Sequence, residues 1–242
     1  MHAKSALNIY VRNIESILLL GVTIMLPFLI FHNYIVSICY YIGNSYGAPI
    51  FGDLTNTFFT ILFLSICQIP FIRFTLAEID GEEKRLKSSY IAFIQYGFQV
   101  FVFGIVYVLL FYAGSILFII PGVLVLLFLY LSPYITVIRN QKITKAWKTS
   151  IKLTKKKFLP LFLILLIMTV VELGIGVGLM YGVSLFTQSY LAIVLSQMLL
   201  NLLIFPFFVI LLTSLSNEWL GVLYAPKTNF DAGGARIALR RG

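Results

Sequence analysis

The sequence predicts an all-α integral membrane protein with six transmembrane helices, and three observations carry that prediction. The chain is 60% hydrophobic and 11% charged, with mean hydropathy +0.97. A soluble domain is nearer half apolar and a quarter charged. Charge is also excluded from long runs, which a lipid-embedded chain requires. Finally, the 18 Lys and Arg fall in alternate connectors. A length of 242 residues accommodates six spans of about 20–25 residues and leaves no room for a soluble catalytic domain.

In chain order, Met1 to Glu15 places Leu7, Val11 and Ile14 at helical spacing beside Lys4 and Arg12, so a short interfacial helix is predicted. Its end runs straight into a long apolar stretch with no small-residue cleavage site, which argues against a cleaved signal peptide. The first span is Ser16–Ile42, interrupted by Pro27, and a loop with Pro49 and Asp53 follows. Thr57–Ile79 is the second span and contains Pro70. After a charged connector, Ser88–Gln95 leads into the third span, Tyr96–Ile120. Pro121-Gly122 is read as a tight turn, and Val123–Ile138 as a fourth span of only 16 residues, short enough to need help from its flanks. The fifth and sixth spans are Phe158–Thr187 and Tyr190–Ser216. They complete a membrane domain over 1–216, and 217–242 reads as a polar tail with Arg236, Arg240 and Arg241.

Orientation follows from the positive-inside rule. The connectors around Asn44, Pro121 and Gln188 contain no Lys or Arg, while all 18 cations and seven of the nine acids share the other side, a net +11. Both termini are therefore expected in the cytoplasm. Tyr40, Tyr41, Tyr46, Trp219 and Tyr224 fit interfacial aromatic belts. A threefold repeat of interfacial helix plus helical hairpin is also expected. Ser5-Ala6, Ser88-Ser89 and Lys145-Ala146 open the copies, and Pro70, Pro133 and Pro206 mark the returning spans.

Between the fourth and fifth spans, Ile143, Trp147, Ile151, Thr154 and Phe158 fall within about 80° on a helical wheel of 100° per residue. Lys145, Lys148, Lys152, Lys155 and Lys156 lie opposite. Such a helix lies at the headgroup boundary, where each lysine near anionic lipid contributes about 1 kcal/mol. It is read as a topology anchor or as a docking surface for a lipid or partner, formed by Trp147 and those five lysines. Gly174, Gly178 and Gly182 form a GxxxGxxxG ladder suited to close helix packing. The run Gly174–Gly178 has no strand before it, so a nucleotide-binding glycine loop does not fit.

Glu172 lies deep in the fifth span, near the depth of Asn201 on the sixth, with Gln197 one turn outward. A charge there costs at least a few kcal/mol, so the carboxyl is expected to be protonated, paired or facing water. Glu172, Gln197 and Asn201, with His32 on the first span, form the candidate intramembrane site. The alternative is a structural Glu hydrogen-bonded to an amide. The two histidines make no triad or metal centre, and Cys39 and Cys67 have neither CxxC spacing nor a nearby His. With no Walker, HExxH, GxSxG or paired-acid pattern, the sequence predicts no catalytic residue, metal or cofactor.

The segment Ile120-Pro121-Gly122, then Ala146-Trp147-Lys148-Thr149-Ser150, Leu153-Thr154-Lys155 and Phe158 resembles a family of bacterial six-span proteins. That family includes the membrane domain attached to some glycerophosphodiester phosphodiesterases. The resemblance covers roughly 40 residues and elsewhere extends to topology alone. It implies a six-span domain in the bacterial cytoplasmic membrane. The family's acid at the start of the basic helix is replaced here by Arg139-Asn140-Gln141, and the resemblance carries no hydrolase activity, since the phosphodiesterase domain is absent.

The sequence therefore predicts a non-catalytic membrane protein, foremost an accessory or scaffold subunit of a transport, secretion or immunity system. The alternative is a small transporter or lipid-handling protein using the site around Glu172. Anionic lipids are the expected partners, with another membrane protein or a second copy; nucleic acid is not.

Overall fold

A computed structural model describes residues 2–224; the cationic tail with Arg236, Arg240 and Arg241 lies outside the described residues. The described chain is helical throughout, and six of its helical stretches are long and apolar enough to cross a membrane. The helices are α1 (His2–Arg12), α2 (Ile14–Leu20), α3 (Leu26–Ser45), α4 (Ile50–Ile79), α5 (Arg85–Leu117), α6 (Ile119–Leu129), α7 (Ser132–Ile138), α8 (Ile143–Lys156), α9 (Phe158–Ser184) and α10 (Tyr190–Tyr224). A π-helical turn, Gly21–Met25, joins α2 to α3. Pro27 explains it: a proline lacks the N–H and crowds the preceding turn, and widening that turn relieves the clash.

The core is where the three returning helices meet. α4 packs against both α7 and α10, and α7 touches α10. Pro70, Pro133 and Pro206 are each buried in this hub, and each precedes an aromatic residue: Phe71, Tyr134 and Phe207. From Ser65 to Glu78 every residue of α4 except Arg73 is buried, as is all of Ser132–Val137. The outgoing helices α3, α5 and α9 lie outside this hub.

Several boundaries differ from expectation. The turn before the fourth span is Phe118, in extended conformation, and Pro121-Gly122 falls inside the first turn of α6. Proline fits there because a first-turn N–H has no partner within the helix. Gly122 faces Gly114 so closely that a Cβ on Gly114 would lie 3.0 Å from the Gly122 Cα. The fourth span is two helices, α6 and α7, broken at Tyr130–Leu131 before Pro133. The second interfacial segment is continuous with its span, since α5 runs unbroken from Arg85, so a separate interfacial helix opens two of the three copies. α10 continues past Ser216, with Trp219 and Leu220 buried, so Trp219 serves the core rather than a belt; Tyr41 and Tyr46 are exposed. The Tyr224 side chain lies outside the described residues. Asp53 sits in the first turn of α4, where it accepts the Tyr40 hydroxyl at 2.6 Å.

On the basic side, charges tie helices together. Glu78, buried at the end of α4, pairs with Arg12 of α1 and Arg85 of α5, and Arg85 also donates to Asn13 at 3.0 Å. Arg73 binds Glu82 at 2.6 Å. α1 lies along α10 rather than presenting Leu7 and Val11 inward. Ala6 is its buried residue, Leu7 and Val11 are exposed, and the Tyr10 hydroxyl donates to the Leu203 carbonyl at 2.9 Å. Partial burial raises the Tyr10 phenol above its ordinary value.

Candidate functional site: an intramembrane cleft

The hairpin α3–α4 and the hairpin α9–α10 enclose a cleft of about 760 Å³. Its floor is a small apolar cluster of Met25, Cys67 and Leu202 with Phe28, Phe63 and Phe205 around it. Above the floor the hairpins diverge, because α9 packs against α10 and α8 but not along α3 or α4. The structure brings Glu172, Gln197, Asn201 and His32 to this one cleft. Asn33, Asn56, Thr60 and Thr169 line it too; sequence reasoning misses these four, since uncharged polar residues at scattered positions give no signal.

Counting back from the helix ends remote from the basic side, these polar residues lie about 9–22 Å in, and the floor residues about 18–30 Å, at 1.5 Å per residue. The polar side chains of the cleft thus sit toward its outer part among apolar neighbours such as Met180 and Leu200, and its deepest residues are apolar. Aromatic rings harden one wall: Phe28, Phe31, Phe59 and Phe63 are linked at centroid distances of 5.0–6.1 Å. His32 stands edge-on to Phe63 at 6.2 Å, with Thr60 Oγ1 3.4 Å from its Nε2.

The polar groups are not equivalent. Gln197 donates through Nε2 to the Gly176 carbonyl at 2.8 Å, so half of its amide clamps α10 to α9. Gly176 matters here, since a Cβ at that position would sit 3.4 Å from Gln197 Oε1. Asn33 donates to Leu29 O at 3.1 Å and Thr169 to Leu165 O at 2.9 Å, each within its own helix. Glu172 faces the cleft with no hydrogen bond or ion pair to any described residue, and so lacks the amide partner that a purely structural Glu needs. The cleft lining contains no Lys, Arg or Asp.

The glycine ladder makes no contact within the described chain. A Cβ added at Gly174, Gly178 or Gly182 would meet nothing within 4 Å, so no helix of the described chain packs there. The ladder points away from α10, and α9 is the least buried span. Close glycine packing occurs instead at Gly114–Gly122, which are eight residues apart across a turn and make no ladder.

The basic helix α8 also docks differently from the wheel. Its buried face is Ile143, Ala146, Thr149, Ser150, Leu153 and Thr154, turned against α6 and α7. Ser150 donates to Phe128 O at 2.7 Å and Thr154 to Leu127 O at 3.4 Å, just before the α6–α7 break. These hydroxyls make a polar face the better one to bury, because they serve carbonyls where the backbone is irregular. Trp147 and Ile151 are left half-buried over an apolar hollow of about 330 Å³ with Lys155 at its edge. Lys145, Lys148, Lys152, Lys155 and Lys156 are all exposed. At the start of α8, Gln99 of α5 reaches across and accepts the Ile143 amide at 3.1 Å, while Asn140 accepts from Tyr96 at 2.6 Å. Ala146, Ser150, Leu153 and Thr154 are thus among the residues that seat the helix.

Cys39 and Cys67 are free thiols, and no cluster among the described residues has the ligands for a metal ion. Comparison of the chain with known protein families, curated proteins and solved structures gives no match.

Proposed function

We propose that the protein is a non-catalytic lipid-handling protein that takes an amphiphile into the cleft between α3–α4 and α9–α10. One observation carries the reading: an unpaired carboxyl and several polar side chains line the outer part of a cleft whose floor and aromatic wall are apolar. An outer-leaflet amphiphile has the same order, polar group outward and tail toward the bilayer centre. The volume lies within the roughly 300–1,000 Å³ of small-molecule sites. The host membrane is the bacterial cytoplasmic membrane, with both termini inside and the lysines of α8 facing its anionic headgroups, as the charge distribution supports.

The test is photolabelling with a neutral long-chain alcohol carrying a diazirine in its tail, using the full chain in phosphatidylcholine vesicles. Labelled peptides should map to α3, α4, α9 and α10, and Thr60→Trp, which fills the cleft, should abolish that labelling. Labelling spread evenly over lipid-facing helices, unchanged by Thr60→Trp, overturns the reading.

A second reading, an accessory subunit that docks through α9, is favoured by the outward-facing Gly174, Gly178 and Gly182. In a chain with Cys39 and Cys67 replaced by Ala, Gly178→Cys should then crosslink to a partner or a second copy in native membranes. Failure to crosslink leaves α9 facing lipid.

A further inference from the structure

The geometry points to a primary amine as the polar group of the ligand: the cleft binds an amphiphile whose head is an ammonium, and Glu172 is its counter-charge. This inference rests on the cleft reading above and adds the chemistry of the head.

Three side chains of the cleft have each committed a donor, and their acceptors are left over. Gln197 has spent Nε2 on the Gly176 carbonyl, leaving Oε1 as its remaining capacity. Asn33 has spent Nδ2 on Leu29 O, and Thr169 its hydroxyl proton on Leu165 O. These three side chains still offer oxygen lone pairs, beside the second N–H of Gln197 and Asn33 and the amide of Asn201. Glu172 adds a carboxyl with no partner, and no Lys, Arg or Asp lines the cleft. A site with surplus acceptors and one uncompensated acid suits a head that brings several N–H donors and a positive charge. An ammonium has three donors and no acceptor. A phosphate or carboxylate head would bring only further acceptors and a like charge. A quaternary ammonium would bring the charge without the donors. An unpaired carboxyl in a membrane is costly, and a bound cation removes that cost.

The test extends the photolabelling to four probes with the same diazirine tail: a primary amine, its trimethylammonium analogue, the alcohol and the carboxylic acid. The amine should label the cleft peptides about tenfold more efficiently than the alcohol, the scale of one charge-assisted hydrogen bond. The acid should label least. Glu172→Gln should bring the amine down to the level of the alcohol measured in the same variant. Glu172→Asp, which keeps the charge, should retain part of the amine preference. An unfolding midpoint for Glu172→Gln close to that of the parent chain shows that the bundle is intact, so loss of the amine preference is not misfolding. Equal labelling by all four probes, or an amine preference that survives Glu172→Gln, overturns the ammonium inference while the cleft stands. If no probe reaches the cleft peptides, the lipid-handling reading itself fails.

Discussion

Arg12 of α1 reaches the buried carboxylate of Glu78 at the far end of α4, and Arg85 at the start of α5 reaches the same group. The Glu78 side chain is 3% exposed whereas Arg12 is 73% exposed, so the two ends of the pair carry unequal weight. Removing Glu78 loses both pairs at once and empties a buried position, a combined loss of about 2–3 kcal/mol. Removing Arg12 leaves Glu78 with Arg85, and a largely exposed partner contributes about 1 kcal/mol or less. Glu78→Ala should therefore lower the unfolding midpoint in mild detergent far more than Arg12→Ala. Equal losses would contradict the assignment of Glu78 as the hub of the network.

The seating of α8 makes a second prediction. Ser150→Ala removes one hydrogen bond to Phe128 O, a loss of about 1 kcal/mol. Ser150→Val adds crowding that costs about 1–3 kcal/mol more. Both should loosen α8 and speed trypsin cleavage at its lysines, Val more than Ala. A helix held only by its charges and the membrane surface would show no change.

The six spans are readable because they depend on a quantity additive along the chain. Runs of apolar residues do not depend on which helix neighbours which. The four candidate site residues are legible for a related reason: polar side chains at one depth in a bilayer have few places to go. Facing directions are less so. A helical wheel turns Trp147 and Ile151 inward because they are apolar, but in a membrane apolar residues are at home outside. Ser150 and Thr154, with carbonyls to serve, go inside instead. The glycine ladder misleads likewise, since spacing shows that a helix has a smooth face and not that anything lies against it. Glu78 carries no sequence signal of its own, being one acid among several at the basic end of the second span and in the connector after it.

Gly114 and Gly178 give a contrasting pair for the third prediction. A Cβ on Gly114 would sit 3.0 Å from the Cα and N of Gly122, whereas at Gly178 it meets open space. Gly114→Val should destabilise the bundle by about 1–3 kcal/mol, and Gly178→Val should stay within about 0.5 kcal/mol. Unfolding midpoints of the two variants decide it. A large loss at Gly178 would mean that this face is covered when the midpoint is measured.

Orientation is tested by cysteine labelling in a chain with Cys39 and Cys67 replaced by Ala. Asn44→Cys should react with a membrane-impermeant maleimide on intact cells. Lys152→Cys should react only after the membrane is opened. The reverse pattern would invert the topology and move the cleft to the cytoplasmic half of the bilayer.

The meeting of α4, α7 and α10 at three prolines has a consequence for biosynthesis. When the first hairpin leaves the translocon, α4 presents Gln68, Ser65 and Thr75 to hydrocarbon, because the helices that bury them are still unmade. The chain must lengthen by more than a hundred residues before α10 arrives to cover them. Until then the nascent protein carries a polar seam within the membrane, open to insertion chaperones and quality-control proteases. A product truncated before α10 keeps that seam, which makes it a substrate for degradation rather than a smaller working unit.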